Sequence, residues 1–381
     1  MTATYEAIVV GLGAMGSAAT YQMATRGRRV LGIEMFQPGH DQGSSHGYHR
    51  MIRKSSLSLD GYVPLADRSF ALWHQVEAES GKTLLEVTGE VWLVDLVLNP
   101  GLRPGIDRSI AHGFREELDE RQLGERFPGF RLAAGLTALY EADAGFLHCE
   151  EGILTHLALA ERNGATIHTG EEVTSWQSAG TGVRVETSAG SYLTDRLIIT
   201  TGPWAAELLG DLALPFQVQR RVNGYFRPSR PDRWSREHGA PDFMLDVAEG
   251  SFYGMPDVAD IGLKIGLSAG EGTTARSIRR TIEDEEIDDL RRVLDRYMPG
   301  ASGSELRRIT CMCTYTVDMH FIIDRHPRHD AVIFGCGFSG RGYKFAPVVG
   351  EILADLAVDG ATSHDVAFLS AARFAASVAA D

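Results

Sequence analysis

At 381 residues the chain exceeds what one hydrophobic core usually serves, so two domains, contiguous or interleaved, are expected. With 44% hydrophobic and 23% charged residues, and no apolar run near the about eighteen residues a membrane span requires, a membrane protein is not expected. A net charge of −14, from 37 basic and 51 acidic residues without a basic stripe, argues against nucleic acid as a partner.

Met-Thr-Ala-Thr-Tyr-Glu runs almost directly into a strand, without the charged and apolar regions of a secretion signal, so a cytoplasmic protein is expected. Tyr5 to Val10 is a β-rich run that stops at glycines, and Met15, Ala18, Ala19 and Met23 follow at helical spacing, with Gly27 placed as the cap. Val30 to Ile33 is a second buried strand ending at Glu34, which completes a parallel βαβ unit. Farther on, 150–162 is predicted as a helix capped by Gly164, and 165–168 as a strand. A hairpin of 183–187 and 191–193 turns on Ser188-Ala-Gly190, and 197–200 is a separate apolar strand. The charged stretch 276–292 is predicted as a solvated helix face. Ala331 to Phe334 is another buried strand, followed by the glycine-rich 335–342 and a helix carrying Val348, Val349, Ile352, Leu353 and Leu356, with Lys344 in its first turn.

These readings predict an α/β (α+β two-domain) protein. A Rossmann-like nucleotide domain of 1–86, 147–218 and 321–381 is interleaved with a mixed-sheet substrate domain of 87–146 and 219–320.

Gly11-Leu-Gly13-Ala-Met-Gly16 follows a strand and opens a helix, where backbone can approach a pyrophosphate and the helix N-terminus can stabilise its charge. Glu34, about twenty residues on, can accept hydrogen bonds from ribose hydroxyls. The pattern implies a dinucleotide without choosing between FAD and NAD. The 335–342 cluster reads either as a tight strand-to-helix turn or as a second helix N-terminus aimed at the cofactor. Lys344 there opposes the helix dipole, which favours an anionic partner. Residues 43–53 hold His46, His49, Arg50 and Arg53. The two arginines suit a carboxylate, and no metal is expected. Cys149, Cys311, Cys313 and Cys336 are expected as thiols, and Cys311-Met-Cys313 alone reads as a redox pair, half a metal site or buried apolar side chains.

Together these residues resemble the monomeric sarcosine oxidase and N-methyltryptophan oxidase family of FAD-dependent amine oxidases, essentially end to end. The similar blocks include Gly43-Ser-Ser-His-Gly-x-x-Arg-x-Ile-Arg53, Tyr62-Val-Pro-Leu65, Gly202-x-Trp204, Tyr253-Gly-x-Pro256, Gly262-Leu-Lys-x-Gly266, Cys311-Met, Phe321-Ile-Ile-Asp324 and Gly337-Phe-Ser-Gly-x-Gly-x-Lys-Phe345. The resemblance implies FAD linked through a thioether at Cys311, with Lys264 beside the flavin to assist oxygen reduction and Arg50 also next to it. Arg53 and Lys344, two cations with no obvious acidic partner, would clamp the substrate carboxylate, and Tyr253 would line the pocket. Beyond the first glycine loop and Glu34, the expected cofactor contacts are Ser44, Arg50, Val173 and Cys311. Gly337, Gly340, Gly342 and Lys344 complete them. Ser268 and Cys313 stand where the family has a histidine and a tyrosine, which leaves room for a substrate larger than sarcosine. The expected reaction is oxidation of a secondary or N-methyl amino acid by oxygen, giving an imine and hydrogen peroxide, in a monomer. Open alternatives are a dehydrogenase with another acceptor, a cyclic or Amadori-type amine as substrate, and a non-catalytic flavin subunit.

Overall fold

The computed structural model describes residues 4–55, 61–259 and 261–374. The strand Thr4–Val10 is followed by the helix Ala14–Thr25, and the chain returns as Val30–Glu34, parallel to the first strand. This helix is buried on every side except at its last residue. Its small residues let a second helix, Ala346–Val358, press against it, where a Cβ on Gly350 would lie 2.6 Å from the Ala18 carbonyl carbon. The unit belongs to an eight-stranded sheet with Gly190–Ile199 on one side of Thr4–Val10 and Val30–Glu34 then Thr166–Thr169 on the other.

The hairpin forms as expected, but its second arm at 191–193 and the strand expected separately at 197–200 are one strand, Gly190–Ile199. Its first half pairs antiparallel with Gly182–Thr187. That partner ends at Gly182, so the same edge is open for the parallel strand His329–Cys336. A chain-local reading sees two patterns because the partner changes midway.

The nine-stranded sheet draws its strands from 90–141 and 216–316. One of its two long members, Phe216–Arg227, pairs with the other, Ser304–Thr316, along one edge and with Leu263–Leu267 and Gly272–Thr273 along the opposite edge. Gly250–Met255, Asp242–Val247 and Glu90–Asp95 continue it. Alternation sorts the faces. Phe226, Leu263 and Ile265 pack with Ile287, Leu290, Val293 and Leu294 of the helix Asp284–Tyr297. Tyr225, Lys264 and Gly266 leave the opposite face.

The charged stretch is only partly the helix expected of it. The helix begins at Asp284 behind a Glu283–Glu286 capping box, so Arg279 and Arg280 precede it. Arg280 instead donates to the carbonyls of Asp41 and Gln42, and Glu286 takes the buried Arg220 at 2.6 Å. A third sheet, of His49–Ile52, Gly145–His148 and Leu85–Val87, anchors the arginine-bearing loop. No helix among the described residues is long and apolar enough to cross a membrane.

Candidate active site

A cavity of about 450 Å³ lies between the two large sheets. One wall is the first glycine loop. Gly11 has φ +83°, and a Cβ there would stand 2.9 Å from the Thr200 carbonyl oxygen, while one on Gly16 would stand 1.9 Å from the Gly11 oxygen. Gly13 at the N-cap of the helix that follows offers no capping side chain, and Ala14 N–H donates to Ser45 Oγ at 3.3 Å, so what this helix start can still offer an anion is the remainder of its first turn. Glu34 accepts from the Leu12 N–H at 2.7 Å and the Phe36 N–H at 3.1 Å, which sets its carboxylate at the lip of the loop. Ser44 and Val173 line the cavity beside it. The 337–342 loop forms the next wall, with Gly337 and Gly340 at φ +63° and +70° and Gly342 packed on Phe338. Lys344 also lines the cavity, from a single 3₁₀ turn, Tyr343–Phe345, rather than from the helix itself.

The sheet supplies the remaining wall. Cys311 and Cys313, two apart on one strand, share a face; Tyr253 on Gly250–Met255 and Ser268, just past the end of Leu263–Leu267, complete the group, and all four line the cavity. Tyr253 donates its hydroxyl to Asn223 Oδ1 at 2.9 Å, and the Asn223 amide lies 3.8 Å from the Cys311 sulfur. A hydrogen bond from Cys313, with Arg50 and Lys264 adding attraction against the opposing effect of burial, pulls the Cys311 thiol down to about 6. The same bond raises Cys313. Cys311 is therefore a buried thiol biased toward thiolate.

Lys264 is fully buried one layer below the cavity surface. Its ammonium donates to the carbonyls of Gly47 at 2.9 Å and His49 at 2.8 Å. The loop bearing those carbonyls is strained, since Tyr48 has φ +64° next to Gly47 at +95°. Glu150 holds it there, accepting from the N–H groups of Gly47 at 2.7 Å and Tyr48 at 3.1 Å. Burial, then repulsion from Arg50, lowers Lys264 to about 7. Arg50 stays on the cavity wall, anchored to the Ser44 carbonyl at 3.0 Å. Burial lowers His46 to about 3 and His49 to about 2, so both rings are neutral below these cations.

Arg53 does not lack an acidic partner. Its Nη1 bonds both oxygens of the fully buried Glu90 at 2.9 Å, and Glu90 also binds Arg115, which reaches Glu141 at 3.2 Å. Glu90 lies 37 residues away and arrives through the nine-stranded sheet, so proximity in sequence could not reveal it. Arg53 lines the cavity with one flank neutralised. Among the described residues Lys344 has no such carboxylate; burial and then repulsion from Arg53 and Arg341 lower it to about 7.

These walls suit a flavin dinucleotide. Two close glycine approaches and a helix N-terminus without an N-cap side chain lie on one wall, where a pyrophosphate would fit, and the polarised Cys311 thiol lies on another. Sequence reasoning missed Glu90, Arg115, Glu141, Glu150 and Asn223. The one available signal was the polar alternation Arg221, Asn223, Tyr225 within a strand, which marks a buried face with work beyond packing.

A family model described as FAD dependent oxidoreductase matches residues 6–356. The chain is 40% identical over 387 aligned residues, covering 100% of both chains, to monomeric sarcosine oxidase of Streptomyces avermitilis. It is 32% identical to N-methyl-L-tryptophan oxidase of Salmonella dublin, over 97% of this chain and 99% of that one. In structure it is similar to L-proline dehydrogenase from P. horikoshii, with a TM-score of 0.86 at 21% identity over 99% of each.

Proposed function

The chain belongs to the FAD dependent oxidoreductase family, and from that premise we propose that it oxidises a secondary or N-methyl amino acid with oxygen as acceptor. The products are an imine, which hydrolyses to amine and aldehyde, and hydrogen peroxide. The observation that carries the reading is the grouping around one cavity of a carboxylate-binding end, Arg53 and Lys344, and a thiol-and-cation end, Cys311 with Arg50 and the buried Lys264. A flavin electron carrier without a substrate has no use for the first end.

FAD, when bound, supplies the two-electron acceptor for a C–H bond next to nitrogen. The glycine loop and Glu34 would hold its dinucleotide part, Ser44, Val173 and the 337–342 loop would enclose it, and Cys311 would be the residue that tethers it. Lys344 receives the substrate carboxylate, with the free flank of Arg53 as second donor. Tyr253, its hydroxyl held by Asn223, gives an oriented aromatic wall. Lys264 has three protons and two carbonyl acceptors. The third proton remains for a water facing the oxygen, where the charge stabilises the anion formed as oxygen is reduced. Segments 87–146 and 219–320 act as the substrate domain, and the protein works as a monomer. The test is an anaerobic screen of N-methyl and cyclic amino acids for bleaching of the bound flavin, followed by peroxide assay in air. Bleaching by none of them, or bleaching without peroxide, would overturn the reading.

A further inference from the structure

Arg221 is a buried guanidinium that the reaction above does not employ. It sits on the strand Phe216–Arg227 directly opposite Cys311, two residues before Asn223, so its side chain leaves the cavity face of the sheet. Only 3% exposed, it nevertheless lines the cavity with Ser268, Tyr253 and Cys313. Its guanidinium stacks 4.8 Å from the Tyr315 ring, and Nη2 donates to Gln219 Oε1 at 3.0 Å. Both contacts are neutral. Nη1 is buried without a hydrogen-bond partner among the described residues.

An unpaired charge out of water is costly unless an anion meets it. The cavity's own carboxylates are engaged elsewhere: Glu34 holds Leu12 and Phe36, Glu172 and Glu207 hold Arg276, and Glu171 holds Thr187. One α-carboxylate at Lys344 and Arg53 leaves Arg221 unanswered. We propose that Arg221 is a second anion subsite of the substrate pocket, and that the amino acid oxidised carries an acidic side chain whose carboxylate takes the free edge of the guanidinium. The planar fork of arginine suits a carboxylate, and Ser268 and Cys313 are small enough to leave a side chain room beside it. This deepens the amino-acid oxidase reading and rests on it.

The test compares racemic N-methylglutamate with racemic N-methylnorvaline, which differ chiefly by the terminal carboxylate, in anaerobic reduction of the flavin-loaded enzyme. Wild type favours the acidic substrate by roughly tenfold or more in kcat/KM. Arg221→Gln cuts that ratio by roughly tenfold to a hundredfold, and Arg221→Lys restores part of it. Equal use of both substrates by wild type, or an equal loss of both in Arg221→Gln, overturns the subsite. Binding of glutarate against butyrate, followed by perturbation of flavin absorbance, needs no turnover and can be read on wild type alone. Tighter glutarate binding without reduction by either amine or by any amino acid of the screen above would sink the oxidase reading and keep the subsite, whereas glutarate binding no tighter than butyrate would sink the subsite whatever the turnover.

Discussion

The glycine wall of the cavity, around Gly11 to Gly16 and Gly337 to Gly342, presents mainly backbone, whereas the sheet wall from Arg221 to Cys313 presents side chains. The first works by leaving atoms out, so any Cβ is an obstruction. The second works by what each residue adds, so a substitution there removes one function and leaves the sheet paired. The largest expected effect therefore belongs to the glycine wall. Gly16→Ala would put a methyl 1.9 Å from the Gly11 oxygen, and the variant should yield no flavin-loaded protein by absorbance. Full loading would show that the loop yields more easily than its packing implies.

On the sheet wall the sharpest change is expected at Cys311. Acid precipitation of wild type should leave a yellow pellet, and Cys311→Ser should release its flavin to the supernatant while still binding it before precipitation. A colourless pellet from fully loaded wild type removes the thioether. Next comes Lys264→Met, which takes away a fully buried charge held by two carbonyls. Reoxidation of the reduced enzyme should slow roughly 10²- to 10³-fold, against a much smaller loss in reduction by substrate. Equal losses in the two half-reactions would reduce Lys264 to a support for the Gly47–His49 loop.

The same contrast explains what could be read from the sequence. The glycine loop is local, since strand, turn, helix and Glu34 fall within about thirty residues and each choice serves one backbone path. The sheet wall is assembled by register from strands as far apart as Glu90 and Cys313, so Lys264, Tyr253 and Cys311 were legible only through resemblance. Glu90 was not legible at all, because an acid in an apolar strand shows no partner until Arg53 and Arg115 are folded against it. The strand at 197–200 was read correctly as a strand but not as the continuation of 191–193, for a related reason: the partner changes within one continuous element.

The two ends of the carboxylate clamp should also separate. Lys344→Met removes the cation that has no carboxylate partner among the described residues, and kcat/KM for the amino acid should fall roughly 10²-fold. Arg53→Lys keeps a charge beside Glu90, and the loss should stay near roughly tenfold. A larger loss at Arg53 than at Lys344 would mean that Glu90 orients the arginine for substrate rather than competing for it.

The smallest expected effect is a pH dependence that divides the clamp once more. In the ligand-free site burial, with repulsion from Arg53 and Arg341, holds the Lys344 ammonium near 7, far below its ordinary 10.5. The lowered value means that Lys344 is charged below about 7 and neutral above it. A carboxylate binds the charged form, so ligand binding takes up a proton as pH rises past 7. Affinity for propionate, an anion that cannot be oxidised at an amine, should be flat below about 7 and weaken by up to about tenfold per pH unit above it. Lys264 is lowered to a similar value, so the assignment needs a control. Lys344→Met should remove the high-pH limb and bind weakly throughout, whereas Lys264→Met, lying a layer below the cavity surface, should keep it. A limb that survives in Lys344→Met and vanishes in Lys264→Met would transfer carboxylate recognition from the 337–345 wall to the charge beneath Gly47.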